Sequence, residues 1–171
     1  SLNQMNMKNW ILLLSLLALP AWAGNVSAPS LIPLPQKMAL GEGAFQILVT
    51  TRICYSPGSG ETAEQLAAAL RRATGYPLKT SVKWFARSAP ADSIFLTTKN
   101  PGAGLGTEGY ELTVATTGVT LRAPTQAGLF YGTQTLRQLL PPEIFSSKVV
   151  SGVDWQIPGV QITDWPRFQW R

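Results

Sequence analysis

Apolar positions recur at helical spacing most clearly between Ala127 and Pro141, where Leu129, Thr133, Leu136 and Leu140 stand four, three and four apart. On a helix of 3.6 residues per turn they form one stripe, with Phe130 beside it, so the pattern predicts a buried helix. Thr125 is placed to cap its first turn, and Pro141-Pro142 to end it, because proline cannot continue the hydrogen-bond ladder. Gly128 and Gly132 each cost about 1 kcal/mol of helix propensity relative to alanine, so a helix that keeps both is expected to admit another backbone close to that side. A second helix is read over Glu61 to Thr74. It places Ala63, Leu66, Ala67, Leu70 and Ala73 on one face and Arg71-Arg72 near the negative end of its dipole, with Gly75 as its stop.

The rest of the pattern is extended. Leu31-Ile32-Pro33-Leu34-Pro35 reads as an extended or edge strand, since neither proline can donate to a central ladder. Gly41-Glu42-Gly43 marks a turn. Phe45 to Val49, Ile53 to Tyr55 and Ser93 to Thr98 are strand candidates, and Val82 to Phe85 is a weaker one. Tyr110 to Val114 and Val119 to Ala123 alternate on either side of Thr117-Gly118, a β-hairpin with one buried and one polar face. Glu143 to Val153 is a polar connection, Trp155 to Pro158 a short extended piece, and Val160 to Asp164 a final strand. Together these elements predict an α+β fold, a mainly antiparallel sheet with two helices packed on one face.

Composition narrows the chemistry. With 171 residues, 45% of them apolar and 13% charged, the chain supports one domain with a real core. Its net charge of +5 is scattered rather than clustered, which argues against a nucleic-acid-binding face. There is no histidine and a single cysteine, so neither a Ser/His/Asp triad nor a cysteine-rich metal site can be built from this chain. Cys54 reads as a small buried residue, and Arg71-Arg72 as a solvated pair rather than an anion site. Gly104-x-Gly106-x-x-Gly109 matches the dinucleotide fingerprint by letter only, because a strand follows where a helix should open. A flexible hairpin loop is expected there. Met5 to Ala23 reads as a secretory signal: Lys8, an apolar run from Trp10 to Leu19, and Ala21-Trp22-Ala23 before cleavage at Gly24. The expected location is periplasmic or extracellular, with no stable membrane anchor. Asn25-Val26-Ser27 fits a glycosylation sequon.

Four ordered motifs carry a resemblance. Gly109-Tyr110-x-Leu112-x-Val114 is the first and Gly118-Val119-x-Leu121-x-Ala123 the second. The third is Gly128-Leu129-Phe130-Tyr131-Gly132-x-Gln134-Thr135-Leu136-x-Gln138-Leu139-Leu140-Pro141, and the fourth Ile162-x-Asp164-x-Pro166-Arg167-Phe168-x-Trp170-Arg171. With compatible gaps and a start at Leu31, they resemble the amino-terminal accessory domain of β-N-acetylhexosaminidases, glycoside hydrolase family 20. The resemblance implies a secreted exo-enzyme that removes terminal β-linked N-acetylglucosamine or N-acetylgalactosamine with retention. The substrate's own acetamido oxygen is the nucleophile, and no metal or organic cofactor is implied. It also implies a (β/α)8 catalytic barrel as partner, expected after Arg171 and absent from these residues. The implied layout is signal peptide and upstream residues 1–23, accessory domain 24–158, and the lead into the barrel 159–171.

The family's sugar-contacting arginine, its Asp-Glu pair and its aromatic pocket belong to that barrel. No catalytic, cofactor-binding or metal residue is therefore expected in this chain, Arg171 included. Glu108, Glu111, Asp154 and Asp164 read as turn, cap or surface residues. The chain alone is expected to be inactive. A free-standing glycan-binding module is the alternative, with Trp84, Trp155, Trp165 and Trp170 available to stack on sugar rings. A related glycosidase with the same accessory fold, an α-glucuronidase or an O-linked N-acetylglucosaminidase, is a third reading. The Pro166 to Arg171 motif favours family 20 over it.

Overall fold

The helical stripe and the strand alternation come together in a computed structural model that describes residues 29–167. The signal-peptide reading and the Phe168, Trp170 and Arg171 positions lie outside the described residues. In chain order the elements are β1 (Lys37–Gln46), β2 (Arg52–Tyr55), α1 (Gly60–Thr74), β3 (Thr80–Val82), β4 (Ser93–Thr97), β5 (Tyr110–Ala115), β6 (Gly118–Arg122), α2 (Gln126–Gln138), a 3-10 turn at Pro142–Phe145 and β7 (Gln156–Asp164). The strands form one seven-stranded sheet in the order β1-β7-β5-β6-β4-β2-β3. Its longest ladder, β1 with β7, is antiparallel, as are β7 with β5 and β5 with β6. The other half, β6-β4-β2-β3, pairs in parallel.

Both helices lie on one face, as the expected α+β layering requires. Helix α2 packs on β5 and β6, α1 on β2 and β3, and the helices touch each other. Thr62 Oγ1 in α1 donates to Gln126 Oε1 at the start of α2 (2.9 Å). The stripe of α2 is buried at Leu129, Thr133, Leu136 and Leu140, and Thr125 caps the helix by accepting from Gly128 N at 3.2 Å. Helix α1 buries all five predicted positions and stops at Gly75, whose φ of 71° only glycine adopts without strain. Val119 and Leu121 of β6 share the helix-facing side with Leu112, Val114, Val160 and Ile162, all buried.

Several extended segments differ from expectation. Gly41-Glu42-Gly43 is not a turn between strands. It is a bulge inside β1, where the register to β7 shifts between Leu40 and Ala44. Gly159 on the facing strand has no room for a side chain, since a Cβ there would sit 2.5 Å from Glu42 O. Consequently the strand expected over Phe45 to Val49 ends at Gln46 and begins far earlier. Leu31 to Pro35 is an irregular segment rather than a strand, held to α2 because Gln138 accepts from Ile32 N (3.0 Å) and donates to Ile32 O (3.1 Å). The short strand near Val82 stops at Val82, leaving Trp84 and Phe85 in a loop. The two extended pieces after residue 155 are one strand, β7, so a domain boundary at 158/159 would divide a single sheet element.

The opposite face of the sheet is covered over only part of its area. Phe95 and Cys54, paired in register, are buried there beneath residues 83–92. That segment is pinned by Ala89 N donating to Thr120 Oγ1 (2.9 Å) and by Ser93 Oγ donating to Pro90 O (2.6 Å). Beyond it, Glu111, Thr113, Gln161 and Thr163 line a shallow polar depression of about 340 Å³.

Candidate docking surface and the predicted site residues

The two ends of the described chain meet beside α2. Asp164, at the end of β7, accepts from Gln36 N through Oδ1 (3.1 Å), and its Oδ2 lies 3.5 Å from Tyr110 OH. Tyr110 OH is in turn 2.5 Å from Thr135 Oγ1 of α2. Just past β7, Gln36 Nε2 donates to Trp165 O and Arg167 donates to Leu34 O. Lys37 Nζ lies 5.6 Å from the centre of the Trp165 ring. Asp164, read from sequence as a surface or turn residue, is therefore a buried tie between the incoming and outgoing chain.

The glycine-rich loop closes the same corner. Leu105 is buried, Thr125 Oγ1 donates to Thr107 O, and residues 104–108 face Trp165, Pro166 and Arg167 across a cleft of about 370 Å³. The loop spans β4 to β5, strands separated in the sheet by β6, so it is a crossover connection and not the hairpin loop expected. No helix opens after it, which leaves the dinucleotide fingerprint without its phosphate-binding N-terminus. At this corner Ile32 and Leu34 of the incoming segment stand in solvent; Phe130 (46% exposed) on α2 and Phe145 in the 3-10 turn are exposed as well. Arg137 stacks 4.7 Å over the Phe145 ring while its Nη1 donates to Gln134 Oε1 (3.2 Å). Burial lowers the Arg137 pKa, and the nearby Arg72 charge adds to that.

The remaining predicted positions do not converge. Glu111 accepts from Gly102 N (3.1 Å) and Asp154 from Gln156 Nε2 (2.7 Å). Glu108 lines the cleft at the chain's exit and Glu111 the polar depression on the sheet, so the two carboxylates share no pocket. A glycosidase acid pair needs both carboxyls on one cleft, roughly 5–9.5 Å apart. Cys54 is buried, its Sγ 3.5 Å from Ser81 Oγ. Arg71 is a structural clamp. It donates to Pro77 O (2.9 Å), to Leu78 O (3.0 Å) and to Glu64 Oε1 (2.6 Å), and this last bond, followed by one from Thr80, lowers the Glu64 pKa. Of the tryptophans, Trp155 is buried, Trp165 is half-buried at the exit and Trp84 is exposed. Sequence reasoning missed this corner, because residues 32–37, 104–110 and 164–167 are three separate segments that only the fold assembles.

The comparisons with known proteins agree with this arrangement. The family model for Glycosyl hydrolase family 20, domain 2, matches residues 28–165. A beta-hexosaminidase from Porphyromonas gingivalis is 32% identical over 166 residues, covering 93% of this chain and 21% of the relative. A lacto-N-biosidase from Bifidobacterium bifidum is 30% identical over 117 residues, covering 68% of this chain and 10% of the relative. Among solved structures, a GH20 beta-N-acetylhexosaminidase from Streptomyces coelicolor A3(2) superimposes with a TM-score of 0.70 at 34% identity, covering 80% of this chain and 26% of that one. The chain thus spans about a quarter or less of the proteins it resembles.

Proposed function

The chain belongs to glycosyl hydrolase family 20, as its domain 2, and from that premise we propose that it is the non-catalytic accessory domain of an exported β-N-acetylhexosaminidase. The observation that carries this reading is the family match from residue 28 to residue 165, which takes in every strand and helix of the described fold. The proposed parent enzyme removes terminal β-linked N-acetylglucosamine or N-acetylgalactosamine, the substrate's 2-acetamido oxygen attacking the anomeric carbon in place of a protein nucleophile. Residues 29–167 contribute no reacting group to that scheme. The hexosaminidase reading is favoured over the biosidase one because the hexosaminidase relative aligns over 93% of the chain and the biosidase over 68%.

The test is to read the gene through residue 171 and express the longer polypeptide in its host. It is expected to hydrolyse an aryl N-acetyl-β-glucosaminide, to be recovered outside the cytoplasm and to begin at Gly24. The 171-residue chain alone is expected to show no turnover. Activity that co-purifies with the isolated chain, or a reading frame without an adjacent Asp-Glu pair beyond it, would sink the proposal.

The apolar corner supports one docking geometry. Ile32 and Leu34 lie beside the outgoing residues Trp165 to Arg167, so a following barrel emerges against them, and burying both aliphatic side chains contributes about 1.5–3 kcal/mol each. In the longer polypeptide, Ile32→Asp combined with Leu34→Asp is expected to split one cooperative melting transition into two. An unchanged single transition would put the contact on another face.

A further inference from the structure

On the sheet face opposite the helices, residues 83–87 and 97–100 form the walls of a second pocket, of about 370 Å³. Its base is Arg122. The guanidinium donates through Nη2 to Arg87 O (2.5 Å) and through Nη1 to Asn100 O (3.2 Å), so one side chain holds both walls. Its Nε is buried with no hydrogen-bond partner among the described residues. Lys99 adds a second tie, from Nζ to Trp84 O at 3.1 Å. Carbonyl oxygens satisfy these donors without neutralising their charge. Arg87, Lys99 and Arg122 form no ion pair among the described residues, and no acidic side chain lines the pocket. Glu111, opposite Arg122 in the β5–β6 ladder, lines the adjoining depression together with Arg122 and accepts from Gly102 N, so the charge left over in the pocket is that of Arg87 and Lys99.

Two consecutive aromatic residues stand at the rim. Trp84 is 63% exposed and Phe85 is 96% exposed, and leaving such rings in water forfeits burial that a core position would gain. Backbone ties at Trp84 O and Arg87 O hold the loop that carries the rings beside the cations. The pocket volume falls in the range of small-ligand sites, and each aromatic face suits the apolar face of a pyranose ring. The net positive charge of Arg87, Lys99 and Arg122 against the single neighbouring carboxylate of Glu111 selects for negative charge on the ligand, over a Debye length of about 8 Å at physiological salt.

We propose that the Trp84–Arg87 loop, with Lys99 and Arg122, is a binding site for an acidic saccharide, a pyranose stacked on the aromatic rim with its carboxylate or sulfate group against the cations. The site rests on this chain's own geometry and is independent of catalysis by any following barrel. A membrane surface uses the same residue types but gains nothing from a concave pocket with fixed donors.

The test is titration of the 171-residue chain, followed by calorimetry and by the Trp84 indole resonance. The ligands are a hyaluronan tetrasaccharide, a chondroitin 4-sulfate tetrasaccharide and the neutral N-acetylchitotetraose. Tighter binding of the first or of the second separates a carboxylate requirement from a sulfate one. At least one acidic ligand is expected to bind about tenfold more tightly than the neutral one, the equivalent of one charge-assisted contact. Trp84→Ala and Arg87→Gln are each expected to weaken that binding about tenfold or more, with the urea midpoint unchanged. Arg87→Gln keeps the backbone carbonyl that Arg122 uses. Equal affinity for neutral and acidic ligands, no binding at all, or binding only to phosphatidylglycerol vesicles would overturn the proposal.

Discussion

Replacing Trp155 by alanine is expected to cost the domain about 3–5 kcal/mol, a large share of the roughly 5–15 kcal/mol that holds a domain of this size folded. Trp155 is 2% exposed and is the largest of the fully buried side chains. It stands at the entry to β7, and its carbonyl accepts from Ile47 N at 2.9 Å, fixing the chain just after β1. The cavity left by an indole cannot close without moving both of those segments. Urea unfolding checks the effect, and Trp84→Ala provides the contrast: an exposed ring on a loop, expected to change stability by no more than about 0.5 kcal/mol. Similar losses for the two variants would mean that Trp155 is not anchoring the core.

Gly128→Ala is the second large effect, and its sign opposes helix propensity. Alanine is intrinsically better in a helix by about 1 kcal/mol. At Gly128, however, a Cβ would overlap Gly109 O and lie 2.8 Å from Ala123 Cβ, so helix α2 would have to lift from the start of β5. Overpacking of this kind costs about 1–3 kcal/mol or more, and the obstacle is backbone rather than a flexible side-chain end. At Gly132 the first atoms met are the methyl groups of Leu121, followed by Tyr110 Cδ2 at 3.1 Å, and side chains can turn aside. Gly128→Ala is therefore expected to lower the urea midpoint further than Gly132→Ala does. The reverse order would show that the close approach to Gly109 is not what keeps glycine in this helix.

The helices were legible in the sequence because their determinants are local. Thr125, the Leu129 to Leu140 stripe and the Gly128/Gly132 pair act within a few turns, and α1 carries its own stop in Gly75. Phe130 marks the limit of that reading. It stands next to the stripe but points into solvent, because a stripe gives the direction of a face and not how far the core extends. The parallel half of the sheet was not legible. Its strands β2 and β3 have four and three residues, too short to show alternation, and their neighbours are set by a crossover through α1. The glycines of β1 read as a turn, and the bulge they form instead depends on a close approach to Gly159, a residue more than a hundred positions away that no local pattern could reveal. Trp84, Trp155 and Trp165 looked alike in sequence. Their division into pocket rim, core and chain exit is a product of tertiary packing.

The pairing of Lys37 with Thr163 joins the first strand to the last. During synthesis β1 has no partner, since its only neighbour in the sheet is β7, which is made after every other element. The edge strand must therefore wait, with the Met38 and Phe45 side chains uncovered, until nearly the whole domain has left the ribosome. Such long-range pairing makes folding slow compared with a domain of local contacts and lengthens the exposure of an open strand to other chains.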